Sequence, residues 1–237
     1  MARTLKKFIV VAMARTGTNA TISALRQHKN CYADFELFHE THIPGPLGKH
    51  FTLKERDADP HAFLEVAQND SRRRKADIQQ YGFKIFFGQN DTLLQQLVVN
   101  PEWPVVLMRR ENVLDQFLSL QIARATDVWN SNEGKDTAKT TLVEKGFLSF
   151  KDEVDGLYRA CEQKLKAAGQ PFFKFTYADV AAGQYGPLCE FLDLPKPHDI
   201  APKISKQNPA RTADKLENPD AVYAMLQREG LAHYWVD

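Results

Sequence analysis

The apolar run at residues 8–13, FIVVAM, constrains the fold of this chain more than any other segment. It is continuous and rich in β-branched residues, which predicts a strand that is buried on both faces, as in the middle of a parallel sheet. A turn around Gly17 follows, and residues 18–27 then space their apolar side chains along one side of a helix. The N-terminal part therefore contains a strand–loop–helix unit.

Strands and helices alternate along the rest of the chain. Four more apolar segments predict strands, at residues 31–38, 82–87, 105–108 and 172–175. Helical patterns separate or follow them, at residues 60–80, 91–99, 113–125, 147–168, 185–192 and 219–229. This alternation predicts a parallel sheet of about five strands with helices on both faces, which the 237 residues can build as one α/β domain. Ligands of such sheets bind at the carboxyl ends of the strands.

Composition excludes several classes of function. Lys and Arg total 31 against 30 Asp and Glu, so no bulk charge indicates a nucleic acid or membrane-surface partner. The three cysteines are far apart and lack metal-ligand spacing, which favours buried free thiols. The apolar run at residues 8–14 is too short to span a bilayer, so we expect a cytoplasmic protein without a transmembrane segment.

The loop Arg15-Thr16-Gly17-Thr18-Asn19 has the composition of an anion site. A loop between a buried strand and a helix N-terminus directs backbone N–H groups at one point, where the helix dipole adds positive charge. Arg15 adds a cation, the threonines add hydroxyls, and Gly17 permits close approach. The alternative is an ordinary strand-to-helix turn. No GxxxxGK[ST] motif is present, which disfavours an ATP-dependent kinase.

A second group of polar residues follows the strand at 105–108. Arg109 and Arg110 end that strand, and Ser119 lies about two turns inside the next helix. Arginine binds phosphate through two parallel hydrogen bonds, and a serine hydroxyl can donate to the same oxygens. A strand end held by salt bridges is the alternative reading. The conjunction of the two groups predicts a ligand with two phosphate-like anions.

Four segments, in the same order as in the family, resemble the superfamily of sulfotransferases that use 3′-phosphoadenosine 5′-phosphosulfate (PAPS). They are FIVVAMARTGTN, LMRRENVLDQFLSLQIAR, FTYADVAAGQYGPLCEFLDLP and ISKQNPARTADKLENPDAV. The chain looks most similar to the bacterial carbohydrate-type branch, which includes nodulation and glycolipid sulfotransferases. The resemblance implies a P-loop-like parallel sheet and PAPS as sulfuryl donor, with PAP as the product.

The resemblance also implies roles for individual residues. Arg15 would contact the transferred sulfuryl group and the leaving phosphate, and Arg109 or Arg110 would hold the 3′-phosphate, with Arg110 slightly favoured. The other expected contacts to the sulfuryl donor are Thr16, Gly17, Thr18 and Asn19 at the 5′-phosphosulfate, Ser119 at the 3′-phosphate and, as weaker candidates, Lys206 and Gln207.

The general base is expected to be Glu36. Animal cytosolic members of the superfamily have a catalytic His two residues after a Lys on the third strand, and this chain has Phe86 there. In the branch that it resembles, a Glu in an E-h-F context lies beside the acceptor, and Glu36 matches that position. His39 is the stronger rival for this role. Asp34 is a minor rival, expected to be a surface carboxylate that shares a face with Glu36.

The sequence thus predicts in-line transfer of a sulfuryl group from PAPS to an acceptor hydroxyl, on a carbohydrate or glycolipid, without a metal. The acceptor is expected to lie against segments near 41–80 and 126–146, within a single domain spanning 1–237. A P-loop nucleotide kinase-like enzyme and a non-catalytic protein that binds PAP or another nucleotide are the alternatives. A homodimer is one of the oligomeric states left open.

Overall fold

A computed structural model describes residues 5–129, 138–195 and 211–237 of the chain. Its five strands form one sheet in the order β2-β3-β1-β4-β5, and every neighbouring pair is parallel. The strands are β1 (Lys6–Ala12), β2 (Cys31–Glu36), β3 (Gln80–Phe86), β4 (Val105–Arg109) and β5 (Phe172–Thr176). The predicted five-stranded parallel α/β fold is confirmed.

Helices connect the strands and follow the last of them. They are α1 (Thr18–Gln27), α2 (Leu53–Ala58), α3 (Pro60–Arg74), α4 (Asp91–Leu97), α5 (Val113–Thr126), α6 (Glu144–Ala167), α7 (Tyr177–Ala181), α8 (Gly186–Phe191) and α9 (Pro219–Arg228). Short 3-10 helices lie at Gly45–Lys49, Ala213–Lys215 and Ala232–Tyr234.

Two short helices, α2 and α7, were not predicted. Each has only five or six residues, which is too few for apolar periodicity to be visible. Both begin with a capping box, in which Thr52 pairs with Glu55 and Thr176 with Asp179. The T-x-x-E/D spacing was therefore the available signal. The helix predicted at 60–80 ends earlier, at Arg74, because Lys75 is extended and the chain continues into β3.

The core forms two layers, one on each face of the sheet, because successive strand residues point to opposite sides. On one face, Ile9 and Val11 pack in a cluster with side chains of α3, α4, α5 and α6. On the other face, Phe8, Val10 and Ala12 pack with side chains of α1 and α8. The strand β1 is thus buried on both faces, as its composition predicts.

The topology opens a crevice between β1 and β4. From β1 the chain moves to β2 at one edge and returns through β3, whereas β4 and β5 lie on the other side. The loops after β1 and β4 therefore diverge, which is where ligands of open α/β sheets bind. Tyr158 of α6 braces this point: its hydroxyl accepts from the Met13 amide at 3.0 Å and donates to the Met108 carbonyl at 2.5 Å.

The cysteines are buried free thiols, as predicted. Burial raises the pKa of Cys31 to about 12 and the pKa values of Cys161 and Cys189 to about 11. All three thiols are therefore protonated and unreactive near neutral pH. In the part of the chain that the structure describes, no helix combines the length and the apolar character that a membrane crossing requires.

Candidate functional site

The loop after β1 makes a tight turn into α1. Arg15 and Gly17 both have positive φ, at 66° and 85°. The buried hydroxyl of Thr16 donates to the Met13 carbonyl at 2.9 Å, and the Gln116 amide donates to the Ala14 carbonyl at 2.8 Å. Helix α1 then starts at Thr18 and has no acidic residue in its first turn. The positive end of its dipole is therefore not offset by an acidic residue of the helix's own first turn.

Gly17 is required by both conformation and space. A Cβ there would lie 3.1 Å from Cδ2 of Tyr177 and 3.4 Å from Cε of Met108. Since φ is also positive, Gly17→Ala should lower the free energy of unfolding by about 1–3 kcal/mol, measured by urea denaturation. Gly156→Ala is the control, because Gly156 lies inside α6, where an added Cβ would meet open space, and it should gain stability from Ala. Equal stability of the two variants would contradict this account.

Lys84 is a site residue that the sequence reasoning missed. It lies in β3 and its side chain is only 1% exposed. Its Nζ is 2.7 Å from Oε1 of Glu36, contacts Oδ1 of Asn19, and lies 3.5 Å from Oγ1 of Thr18. Burial lowers the pKa of Lys84, and the Glu36 carboxylate opposes that shift. Lys84 therefore joins the end of β2 to the loop after β1. A lone Lys within the apolar strand YGFKIFF was the signal for it.

Glu36 lies at the end of β2 and is held from two sides. Its Oε1 faces Lys84, and its Oε2 accepts from Nε2 of Gln89 at 2.9 Å. Gln89 is in turn oriented by the Phe86 amide, which donates to its Oε1 at 3.0 Å. The Glu36 side chain keeps 21% of its surface exposed. This carboxylate thus reaches both solvent and, through Lys84, the loop after β1.

The two rivals of Glu36 lie in different surroundings. His39 stacks on His42 at 4.2 Å between ring centroids, and its Nδ1 is 3.2 Å from Oγ1 of Thr41. Asp34 is buried, so the expectation of a surface carboxylate was wrong. Its carboxylate accepts from Tyr81 at 3.1 Å and pairs with Arg26 at 3.3 Å. Burial raises the pKa of Asp34, and Arg26 and Tyr81 oppose that shift.

A register shift in β2 puts the carboxylates of Asp34 and Glu36 in different environments. In regular pairing, Asp34 and Glu36 would point to the same face of the sheet. The pairing of β2 with β3 shifts between them, so that Asp34 aligns with Phe83 and Glu36 with Lys84. The bulge therefore puts Glu36 beside the cation, while Asp34 is tied to Tyr81 and Arg26.

The two adjacent arginines at the end of β4 point to different neighbours. Arg109 pairs with Asp155 of α6 at 2.5 Å. Arg110 is buried, pairs with Asp115 at 2.9 Å, and lies 3.4 Å from the Arg15 carbonyl. Its guanidinium also stacks over the Tyr177 ring at 4.2 Å. Arg110 is thus the arginine that lies against the loop after β1.

Ser119 also meets the loop, through Arg15. Its buried Oγ accepts from Nε of Arg15 at 2.9 Å, and Nη1 of Arg15 donates to the Trp129 carbonyl at 2.7 Å. The loop after β1 therefore supplies Arg15 and contacts both Lys84 and Arg110, so that three cations meet at this loop. Lys206 and Gln207 lie outside the described residues. Within the described ranges, no group of three or more His, Cys, Asp or Glu could hold a metal ion.

Known proteins resemble this chain in sequence and in fold. No family model matches the chain. Nodulation protein H of Rhizobium meliloti (strain 1021) is 25% identical over 174 residues, which are 72% of this chain and 64% of that protein. The chain therefore spans slightly less than two thirds of this curated relative. A sulfotransferase from Alicyclobacillus acidocaldarius superposes with a TM-score of 0.55 at 16% identity, over 98% of this chain and 97% of the other.

The similarity to nodulation protein H extends over most of the chain, and the sulfotransferase from Alicyclobacillus acidocaldarius shares its fold. Retinol dehydratase in complex with androsterone and inactive cofactor PAP is less similar, with a TM-score of 0.34 at 13% identity. In this chain the loop after β1 and Arg110 after β4 lie on the two sides of one crevice. Sequence reasoning found these two groups but missed three residues that contact them, Lys84, Asp115 and Tyr177, and also Gln89, which holds Glu36.

Proposed function

We propose that the chain is an enzyme that transfers a sulfuryl group from PAPS to an acceptor hydroxyl. The observation that carries this proposal is the contact of one buried cation, Lys84, with both the Glu36 carboxylate and Asn19 of the loop. It supports a single reaction centre, because a carboxylate able to accept a proton lies next to the expected anion site.

The sulfuryl donor would be held by the two groups of cations. The loop at residues 15–19 would bind the 5′-phosphosulfate through its amides, its hydroxyls and Arg15. Arg110 would bind the 3′-phosphate, which its position against the loop supports, whereas Arg109 faces Asp155. Ser119 would add a hydroxyl donor at the 3′-phosphate. Lys206 and Gln207 would add further contacts.

In the proposed reaction, one carboxylate takes the acceptor's proton and two cations stabilise the negative charge that develops. PAPS supplies the sulfuryl group. As the acceptor oxygen bonds to sulfur, the bond from sulfur to the phosphate oxygen breaks, and Glu36 takes the acceptor's proton. Gln89 would keep the carboxylate oriented through its 2.9 Å hydrogen bond. Arg15 and Lys84 would stabilise the negative charge that develops on the sulfuryl and bridging oxygens, so no metal would be needed.

A carbohydrate or glycolipid hydroxyl is the proposed acceptor, bound against segments near 41–80 and 126–146. Half-exposed Trp129 supports this, because its backbone contacts Arg15 and an indole face can stack on a sugar ring. The proposal includes one domain over residues 1–237 and action in the cytoplasm.

Two measurements test the proposal. Calorimetry should give a Kd for PAP at least about tenfold lower than for ADP or ATP, because only PAP carries the 3′-phosphate that Arg110 would bind. Labelled PAPS should then pass sulfate to at least one member of a carbohydrate and glycolipid panel, read by mass spectrometry. Tighter binding of ATP would favour a kinase-like enzyme. Tight PAP binding without transfer to any acceptor would favour a non-catalytic nucleotide-binding protein.

A further inference from the structure

The adjacent arginines Arg109 and Arg110 each share an aspartate with a lysine. In the outer triad, Asp155 lies 2.5 Å from Arg109 and 3.0 Å from Lys151, and all three side chains are partly exposed. In the inner triad, Asp115 lies 2.9 Å from Arg110 and also binds Lys215. The inner triad is buried, since only 7% of Arg110 and 1% of Lys215 is exposed.

Lys215 is held in this buried position by the fold around it. Its carbonyl accepts from the Thr140 amide at 2.9 Å, and its own amide donates to the Thr212 carbonyl at 3.1 Å. The next residue, Leu216, is 1% exposed and lies in the core. The backbone therefore fixes Lys215 beside Asp115, although the two residues are 100 positions apart in sequence.

Stability is a poor explanation for such a triad. Removing charges from water is costly, and buried ion pairs are often no more stabilising than apolar side chains of the same size. The charges have a clearer consequence for the 3′-phosphate site. Asp115 alone would neutralise Arg110, and a neutral pair attracts a phosphate weakly. Because Lys215 also binds Asp115, the triad keeps one net positive charge.

We propose that Lys215 is a positioning residue of the sulfuryl-donor site, which shares Asp115 with Arg110 and so leaves a net positive charge around Arg110 for the 3′-phosphate. This inference rests on the proposed function, in which Arg110 binds that phosphate. Lys215 acts through Asp115 and does not itself touch PAPS. It sets the preference of the site for a nucleotide that has a 3′-phosphate over one that lacks it.

The test compares the Kd values of PAP and adenosine 5′-monophosphate by calorimetry, since these ligands differ in the 3′-phosphate. Lys215→Met should reduce the preference for PAP at least about tenfold, because the triad becomes neutral. The double variant Asp115→Asn/Lys215→Met removes one charge of each sign, and it should recover the preference to within about threefold of wild type. Lys151→Met is the matched control: it changes the net charge equally, beside Arg109, and should keep the preference.

A purely structural Lys215 would change the unfolding temperature of the ligand-free protein and leave the preference for PAP intact. That result for Lys215→Met, or a double variant that does not recover, would overturn the inference. Should Lys215→Met not fold, Lys215→Gln keeps an N–H for Asp115 and gives the same readout. A wild-type protein without any preference for PAP would instead refute the proposed function itself.

Discussion

Glu36→Gln should lower kcat for sulfuryl transfer by about 10²- to 10⁴-fold, the usual contribution of a general base. Gln keeps the shape of Glu36 and an oxygen that can face Lys84, but it cannot take the acceptor's proton. The Kd for PAP should stay within about threefold of wild type, because in the described part of the chain Glu36 reaches the loop after β1 through Lys84. Steady-state kinetics with labelled PAPS and calorimetry with PAP measure the two quantities.

Two controls distinguish Glu36 from its neighbours. Glu40→Gln makes the same chemical change at an exposed position and should leave kcat unchanged. His39→Gln removes the rival base, and it should also leave kcat near wild type, since the described side-chain contacts of His39 are to Thr41 and His42. Glu36→Gln with nearly wild-type turnover, or a large loss in His39→Gln, would remove Glu36 from the role of base.

Lys84→Met should reduce kcat/KM at least about 10²- to 10³-fold, the effect of losing one group that stabilises transition-state charge. It should also weaken PAP binding, which Glu36→Gln should not do, because Lys84 bridges to Asn19 and Thr18 of the loop. The diagnostic measurement is therefore the Kd for PAP of the Lys84→Met variant compared with that of the Glu36→Gln variant. Lys174→Met is the matched control at an exposed position of β5, where Lys174 pairs with Glu162.

The Lys84→Met protein should still fold. Its long apolar side chain would lie between Phe35 and Phe86, whose ring centroids are 5.7 Å and 4.9 Å from Nζ of Lys84. Burial already disfavours the charged amine, as the lowered pKa of Lys84 indicates. Circular dichroism and thermal unfolding check the fold. A folded variant with unchanged kcat/KM and PAP affinity would contradict a role for Lys84 in the reaction.

The sheet could be predicted from the sequence, because the continuous apolar run of β1 requires cover on both faces. The bounds of α1 follow from Gly17 and from the spacing of apolar residues after it. The helices α2 and α7 could not be predicted from the periodicity of apolar residues, because each spans fewer than two turns. Local hydrogen bonds of Thr52 and Thr176, and not an apolar stripe, start them.

The site was predictable only where its residues are neighbours in sequence. The loop at 15–19 is one segment, so its composition showed it. Whether Arg109 or Arg110 faces that loop depends on the side of the sheet on which each arginine lies, and only the tertiary structure decides this. The Lys84–Glu36 pair joins two strands, and the register shift in β2 creates it. The same shift explains why the environment of Asp34 was wrongly predicted.

Because of the register shift in β2, the number of residues in that strand decides which side chain lies beside Lys84. One residue of extended chain advances about 3.3 Å and reverses the side to which a side chain points. Because the shift lies between Asp34 and Glu36, it decides which residue meets Lys84. With regular pairing throughout, Phe35 would align with Lys84 and Glu36 with Ile85, so the sheet and both carboxylates would remain, yet Lys84 would lose its acid. Insertions and deletions in this edge strand are thus a route by which such folds gain or lose a reaction without any change of residue type.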